Sequence, residues 1–215
     1  MNVPVVAIDG PSASGKGAVA QRVARALGYH CLESGALYRL VALAGHENPE
    51  STAATMEVEF REGRIFLSGQ DVTDRLRDET IGAKASSIAG HQPLRNALMQ
   101  RQRAFRQPPG LVAEGRDMGT AVFPDAALKV FLTATPAVRA QRRYKQLIDK
   151  GIDANLLALS RDLEQRDGRD ATRAVAPLSS APDALLLDTS EKSLDDVVDV
   201  ILGWCKERKL GGRPG

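Results

Sequence analysis

Lys16 stands at the end of a glycine-rich segment, Gly10–Gly15, which follows a short apolar run at Val5–Ile8. The residues after Lys16 are apolar at helical spacing, so the pattern predicts a strand, a loop and a helix in that order. Glycines let such a loop wrap closely, which points its backbone N–H groups and the positive end of the helix at a phosphate. A lysine at this place reaches the β- and γ-phosphates of a nucleoside triphosphate. The alternative is a glycine-rich turn that only joins the strand to the helix.

The predicted phosphate loop for ATP is a continuous stretch of small residues and one lysine: Gly10, Pro11, Ser12, Ala13, Ser14, Gly15, Lys16, Gly17 and Ala18. Its last two residues lack the hydroxyl group that is expected to hold Mg²⁺ after the lysine. We therefore expect phosphate oxygens and waters to hold Mg²⁺, which gives up its water reluctantly. Asp9, at the end of the apolar run, is a candidate outer-shell ligand.

Arginine side chains gather at the ends of predicted strands. Gly115-Arg116-Asp117 follows one buried strand, and Arg39 lies in a helix that follows another. In a doubly wound sheet, both places lie at the edge where ligands bind. A guanidinium group matches the oxygens of a phosphate, so these arginines predict a site for an acceptor phosphate. The alternative for Arg116 is a structural ion pair with Asp117 or Glu114.

A second arginine cluster lies nearer the C-terminus. Arg166, Arg169 and Arg173 have the i, i+3, i+7 spacing that predicts one face of a helix. Aspartates between them also fit a solvated, ion-paired helix. Phosphoryl transfer needs movable positive charge and exclusion of water, so we favour a helical lid with Gly151 and Gly168 as flexion points. A lid scaffold and an ion-pair network both stay open for the arginines of the preceding helix: Arg139, Arg142 and Arg143.

Strands that alternate with helices predict an α/β fold with a doubly wound parallel sheet. From Glu57 the apolar period changes to two, which predicts a small antiparallel hairpin with Ser68–Asp71 as a turn. We expect one domain, 1–215, whose parts are a core at 1–56, 107–149 and 175–208, an insert at about 57–106, and a lid at about 150–174.

Cap residues mark three helix boundaries in the sequence. Gly28 is expected to end the helix that begins at Lys16. Ser34 is expected to cap a helix that runs to about Ala44, and Ser193 to cap the last one.

Composition narrows the class of protein. A net charge of +2 over 215 residues gives no overall field that favours nucleic acid or membrane as a partner. Two distant cysteines, Cys31 and Cys205, fit a reducing cytoplasm better than a disulfide scaffold. The sequence shows no signal pattern and no apolar run of membrane-spanning length. We expect a cytoplasmic monomer.

Several motifs together resemble bacterial-type cytidylate kinases, which are P-loop nucleoside monophosphate kinases. They follow in order along almost the whole chain: Gly10–Gly17, Ser34–Arg39, Arg101–Arg103, Gly115–Thr120, Phe123–Ala126, Arg166–Asp170 and Arg173–Leu178. Gly-Arg-Asp-Met-Gly-Thr is specific for that family, whereas the phosphate loop alone is not. Glu33 and Glu114 depart from the family, because aspartate is common at both positions, and Ala18 stands where threonine or serine is usual.

The resemblance implies a phosphotransferase that uses ATP with Mg²⁺ to phosphorylate CMP or dCMP. It implies that the hairpin belongs to the insert that binds the nucleoside monophosphate. It also implies roles for residues. The cytosine is held by Ser86, Arg95 and Asp117; the acceptor phosphate by Arg39, Arg116 and Arg173; the sugar by Asp170 with Arg166; and Ser34 belongs to the same CMP site. Lys16, Arg116 and Arg173 are the implied catalytic residues.

The hydrogen-bonding groups of cytosine fit this assignment. Cytosine has an amino donor at N4 and acceptors at N3 and O2, so a carboxylate and cationic or hydroxyl donors complement it. Uracil reverses the groups at N3 and at position 4, and such a mismatch costs about 1–3 kcal/mol.

The expected mechanism is direct in-line transfer without a covalent intermediate, because the acceptor phosphate oxygen is already a nucleophile. The nearest alternative is a related small-molecule kinase that acts on UMP, AMP, shikimate or dephospho-coenzyme A. A more distant one is a P-loop ATPase that binds nucleic acid. The sequence lacks the Asn-Lys-x-Asp motif of guanine readers and a helicase-type Asp-Glu strand end.

Overall fold

The computed structural model describes residues 3–45, 47–61, 63–149 and 151–211. The chain divides into two compact units. We name Met1–Leu32 with Phe105–Gly215 the sheet unit and Glu33–Ala104 the second unit. The strands are β1 (Val5–Asp9), β2 (His30–Glu33), β3 (Val58–Arg61), β4 (Arg64–Leu67), β5 (Gln70–Asp71), β6 (Leu111–Gly115), β7 (Leu128–Thr133) and β8 (Leu185–Asp188). The helices are α1 (Lys16–Leu27), α2 (Ser34–Ala44), α3 (Pro49–Thr55), α4 (Glu79–Ile88), α5 (Gln92–Ala104), α6 (Pro136–Ile148), α7 (Leu156–Thr172) and α8 (Leu194–Glu207).

The sheet unit contains a sheet with the strand order β2-β6-β1-β7-β8. β1 pairs in parallel with β6 on one side and β7 on the other, and β7 pairs in parallel with β8. Every residue of β1 and β6 is buried, as expected for central parallel strands covered on both faces. The predicted doubly wound α/β fold is confirmed.

The core of the sheet unit forms where α1 and α8 pack on the sheet. Its apolar side chains are contributed by both helices and by the central strands: Val6, Ile8, Val19, Ala20, Val23, Ala24, Val112, Leu128, Val130, Leu132, Leu187, Val197, Val198, Ile201 and Cys205. Full burial of a valine, leucine or isoleucine side chain contributes about 1.5–3 kcal/mol. This packing gives β1 and β6 a fixed position, which matters because β1 leads into the phosphate loop and β6 ends next to β1 at Gly115.

The predicted caps are confirmed for α1 and α8 but not for α2. Gly28 adopts the left-handed conformation after α1, and Ser193 forms a capping box with Asp196 before α8. Ser34, however, is the first residue of α2, and Glu33 occupies the N-cap position without a side-chain cap. The reason is that β2 runs to Glu33 and joins α2 directly, so that no residue remains between strand and helix.

The second unit packs helices α2–α5 together and contains an antiparallel sheet of order β3-β4-β5. The predicted hairpin is confirmed, but the expected turn at Ser68–Asp71 is wrong in its second half, because Gln70–Asp71 pairs with Phe66–Leu67. Helix α3 was not expected, although Asn48 caps it and Pro49 begins it, which are ordinary start signals. Within the described ranges, no helix is both long and apolar enough to cross a membrane.

Candidate active site

The phosphate loop leaves β1 through a glycine that no other residue could replace. Gly10 has φ +150°, and a Cβ atom there would lie 2.1 Å from the carbonyl oxygen of Leu132 on β7. Gly15, the residue before α1, is also left-handed, with φ +93°. The predicted strand, loop and helix are therefore confirmed, and the two glycines supply the conformations that the loop requires.

Lys16 is buried, and its ammonium group points back into the loop. Nζ donates to the carbonyl oxygen of Pro11 over 2.6 Å and to Oγ of Ser14 over 3.4 Å. Burial and the positive charge of Arg116 lower the pKa of Lys16 to about 7, although Glu114 and Asp9 oppose the shift. A second anionic partner, such as a polyphosphate, would favour the charged form of this lysine.

We expect ATP binding to take up a proton at pH 8. The pKa of Lys16 is about 7 in the ligand-free protein, so above pH 7 the amine is largely neutral, and phosphates that bind it must restore the ammonium form. The affinity for ATP should therefore fall between pH 7 and pH 9, by up to about tenfold per pH unit. Calorimetry at pH 8 in two buffers with different ionisation enthalpies measures the uptake. Equal binding enthalpies in the two buffers would contradict this expectation, and Lys206→Met, at an exposed position of α8, is the control that should keep the uptake.

Arg116 joins the phosphate loop to the C-terminal part of α7. The parallel register pairs Asp9 with Gly115, so the segments that leave β1 and β6 begin side by side. Arg116 donates from Nη2 to Oγ of Ser12 over 2.7 Å and from Nε to Oδ2 of Asp170 over 2.9 Å. Its ion-pair partner is thus a residue far along the chain, which neither sequence alternative had named.

Asp170 also holds Arg173. Nη2 of Arg173 donates to Oδ1 of Asp170 over 2.5 Å, and the Asp170 side chain is only 2% exposed. Burial alone would raise the pKa of Asp170, but the charges of Arg116, Arg173 and Arg166 outweigh it and keep the pKa below its usual value. Two guanidinium groups of the predicted phosphate site are therefore held beside the loop by one ionised carboxylate.

The predicted helix face of Arg166, Arg169 and Arg173 is wrong for its last member. Helix α7 ends at Thr172, and Arg173 follows it with an extended conformation. Gly168 lies inside α7 rather than at a break, whereas Gly151 follows α6 with φ +72°. The lid was expected to begin at Lys150, which lies outside the described residues. The charged segment of the sheet unit is thus a continuous helix followed by an extended arginine.

Two arginines of α6, Arg139 and Arg142, donate hydrogen bonds to the backbone of the phosphate loop. Arg139 donates to the carbonyl oxygen of Ser12 over 3.2 Å and pairs with Oδ2 of Asp167 on α7 over 2.6 Å. Arg142 donates to the carbonyl oxygen of Ser14 over 3.4 Å and to Oγ1 of Thr189 over 2.9 Å. Arg139 therefore serves as scaffold and as ion-pair partner at once. The α6 arginines were visible in the sequence, but Asp167 and Thr189 as their partners were not.

The second unit holds the other predicted CMP residues, on helices that pack together. Arg39 on α2 donates from Nη1 to the carbonyl oxygen of Leu76 over 2.5 Å. Arg95 on α5 is buried, and its Nη1 lies 3.3 Å from the hydroxyl of Tyr38 on α2. Ser34 and Ser86 are buried as well. The contact between Tyr38 and Arg95 was not predicted from the sequence, although Tyr38 precedes Arg39 in the same motif.

The burial of Ser86 and Arg95 excludes the reading of both as solvated helix-surface residues. Ser86 and Arg95 would be exposed if they were ordinary helix-surface residues, yet each is about 6% exposed. The guanidinium group of Arg95 is therefore kept out of water and can donate to a buried acceptor.

The described residues contain no cluster of side chains that could bind a metal ion by itself. No group of three or more His, Cys, Asp or Glu side chains in those parts of the chain could ligate one. Both carboxylate oxygens of Asp9 already accept hydrogen bonds, from the backbone N–H groups of Met118 and Gly119. These residues fit a cation that arrives with a polyphosphate and keeps its phosphate and water ligands.

A parallel sheet, a glycine-bounded loop with a buried lysine, and arginines held beside it define a P-loop phosphotransferase. A gluconokinase from Sinorhizobium meliloti shares this fold, with a TM-score of 0.50 at 16% identity over 96% of this chain and 94% of that one. The family model described as cytidylate kinase matches residues 6–207. The chain therefore belongs to the cytidylate kinase family.

Curated relatives agree over nearly the full length. The cytidylate kinase of Cupriavidus pinatubonensis is 57% identical over 211 residues, which cover 94% of this chain and 96% of that protein. The cytidylate kinase of Ralstonia nicotianae is 54% identical over 213 residues, which cover 95% and 93% of the two chains. The resemblance inferred from the motifs is confirmed.

Proposed function

We propose that this protein transfers the γ-phosphoryl group of ATP to CMP and dCMP, giving CDP and dCDP. The observation that carries the proposal is that Asp170 holds two arginines, Arg116 and Arg173, of which Arg116 also donates to Ser12 of the phosphate loop. A hydrolase of ATP has no need for a second phosphate site, whereas a kinase with a phosphorylated acceptor does. The relatives at 54–57% identity are named cytidylate kinases.

The donor side of the proposed reaction rests on the phosphate loop. Residues 10–18 bind the triphosphate through backbone N–H groups, and Lys16 neutralises charge on the β- and γ-phosphates. A bound divalent cation, which we propose is Mg²⁺, neutralises further charge on the phosphate oxygens. Arg139 and Arg142 donate hydrogen bonds to two loop carbonyls and so help to hold the loop in place.

The acceptor side rests on guanidinium groups for the phosphate. Arg116 and Arg173 already lie close to a carboxylate anion, so a phosphate of similar charge can take part of that coordination. Arg39 from the second unit is proposed to bind the same phosphate, and Asp170 with Arg166 the sugar. Lys16, Arg116 and Arg173 are the proposed catalytic residues, because they offset charge on the transferred group.

Base selection is assigned to Ser86, Arg95 and Asp117, with Ser34 in the same CMP site. Asp117 is buried directly after Arg116, so its carboxylate is desolvated and suited to accept from the cytosine amino group. Arg95 and Ser86 supply donors for N3 and O2. The acceptor phosphate is itself the nucleophile, so the protein positions the reactants and needs no general base.

We keep as part of this proposal a monomer in the cytoplasm that has no nucleic-acid or membrane partner. The proposed parts are those expected from the sequence: the core at 1–56, 107–149 and 175–208, the insert at about 57–106 and the lid at about 150–174. Cys31 and Cys205 form no disulfide, which fits a reducing compartment.

A panel of acceptors tests the function. Purified protein with ATP and Mg²⁺ is offered CMP, dCMP, UMP, AMP, shikimate and dephospho-coenzyme A, and the formation of ADP and of phosphorylated product is measured. CMP and dCMP should give the highest kcat/KM. A different leading acceptor would replace this proposal by a related kinase, and ATP hydrolysis stimulated only by RNA or DNA would replace it by an ATPase.

A further inference from the structure

Asp9 is the last residue of β1, and its carboxylate accepts hydrogen bonds from the segment that follows β6. Oδ1 accepts a hydrogen bond from the backbone N–H of Met118 over 2.8 Å, and Oδ2 accepts one from Gly119 over 2.7 Å. These two residues open a single π-helical turn, Met118–Val122. One carboxylate thus satisfies two backbone donors that start a turn immediately after Arg116 and Asp117.

The segment Met118–Val122 forms a π-helical turn. It closes through i to i+5 hydrogen bonds, from Val122 N to Asp117 O and from Phe123 N to Met118 O. π-Helical turns are rare and are frequently found at functional sites. Asp117 has φ −148° and ψ 25°, so the chain changes direction sharply at the proposed base-reading residue.

The other end of the interaction is rigid. Asp9 lies on a strand whose residues are all buried and hydrogen-bonded on both sides, to β6 and to β7. Because Asp9 lies on a strand paired on both sides and the turn is short, we take the carboxylate to set the position of the turn rather than the reverse.

We propose that Asp9 is a positioning residue for base selection: through Met118 and Gly119 it fixes the turn that places the Asp117 carboxylate. Asp9 does not touch the nucleotide in this proposal. The inference rests on the proposed function, because it presupposes that Asp117 distinguishes cytosine from uracil.

The carboxylate of Asp9 is held in a buried position. The side chain is 5% exposed. Burial raises the pKa of Asp9 to about 6, against two backbone hydrogen bonds and the charge of Lys16, which lower it, and the charge of Asp117, which raises it further. The ionised carboxylate therefore costs folding free energy at neutral pH.

Gly119 gives the same contact a second test. A Cβ atom at Gly119 would lie 3.4 Å from Oδ2 of Asp9 and 3.2 Å from the side chain of Lys129. An alanine there keeps the Asp9 carboxylate but crowds it and the Lys129 side chain, so the turn or one of these side chains must shift by a few tenths of an ångström. An effect of that variant on base selection therefore reports on the contact between the turn and its neighbours.

The experiment measures the ratio of kcat/KM for CMP to kcat/KM for UMP, which does not depend on how much of the enzyme is active. In Asp9→Asn the amide nitrogen faces a backbone N–H donor, so one of the two hydrogen bonds is lost. We expect the CMP to UMP ratio to fall by about 10-fold or more, as small misplacements commonly cost that much. The dissociation constant for ATP should change less than about threefold, because the strand itself stays in place.

The control is Asp195→Asn, the same change at an exposed aspartate of α8 paired with Arg22, and it should leave the ratio unchanged. A purely structural role for Asp9 would lower the melting temperature but keep the CMP to UMP ratio, and that result would overturn the inference. If Asp9→Asn does not fold, Gly119→Ala decides by the same ratio. Wild-type protein without CMP kinase activity would instead refute the proposed function.

Discussion

Replacing Lys16 by methionine abolishes turnover with every acceptor. Methionine fills a similar volume but brings no charge to the β- and γ-phosphates, and loss of one such group in a water-excluded site costs about 10²–10³-fold in kcat. The effect should be at the upper end of this range, because Lys16 is buried and its Nζ lies 2.6 Å from the carbonyl oxygen of Pro11 in the phosphate loop. A coupled assay of ADP formation with CMP and with UMP measures it.

The folded state should survive this substitution. The pKa of Lys16 is lowered to about 7, so the protein interior disfavours the ammonium group in the ligand-free state. The melting temperature of Lys16→Met should therefore not fall. Lys206→Met is the matched control with an exposed side chain and should keep wild-type turnover. Activity within about tenfold of wild type in Lys16→Met would remove the lysine from the proposed mechanism.

Asp117→Asn should reduce kcat/KM for CMP by about 10–100-fold, which corresponds to the about 1–3 kcal/mol of one specific contact with a base. An asparagine amide still accepts from the cytosine amino group through its oxygen but loses the charge and places a donor beside it. That donor suits O4 of uracil, so kcat/KM for UMP should fall less than that for CMP, or rise. Acceptor titrations with both nucleotides at saturating ATP measure the two values.

ATP binding separates this effect from a general loss of structure. Asp117 follows β6 and lies outside the phosphate loop, so the dissociation constant for ATP should remain within about twofold in Asp117→Asn. Asp183→Asn is the control, since Asp183 is an exposed partner of Lys129. Unchanged use of CMP by Asp117→Asn would show that this carboxylate does not read the base.

A double variant tests whether Asp9 acts on base selection through Asp117. If Asp9 acts only by positioning Asp117, then Asp9→Asn should add little in a background that already carries Asp117→Asn. Independent effects would instead multiply. The double variant thus tests the proposed link between the two carboxylates by the same CMP to UMP ratio.

Local signals were sufficient for the donor site. The apolar run, the two glycines and Lys16 are close together in the chain, and the conformation of each depends mainly on its neighbours. The strand, the loop and the helix could therefore be predicted, and they were confirmed. Helix ends followed the same logic at Gly28 and Ser193. Ser34 is not the N-cap residue of α2, because β2 continues directly into the helix without a linker. Where a strand ends depends on its pairing in the sheet, which the local sequence does not show.

Partners far apart in sequence could not be predicted in the same way. The periodicity of the arginines predicted one helix face, but α7 ends before Arg173. Arg116 was weighed against neighbouring carboxylates, yet its observed partner, Asp170, lies 54 residues away. Asp9 was considered for a metal, and only the packed structure shows its carboxylate bound to Met118 and Gly119.

The sequence by itself determined the α/β fold, the phosphate loop and, through motifs in order along the chain, the cytidylate kinase family. These features depend on backbone conformations and apolar periodicities that neighbouring residues set. Only the tertiary structure decided which charges meet: Asp170 with two arginines, Arg139 with Asp167, and Asp9 with the turn after Asp117. The physical reason is that ion pairs and backbone hydrogen bonds between distant segments depend on how the strands align, and many pairings fit the same composition.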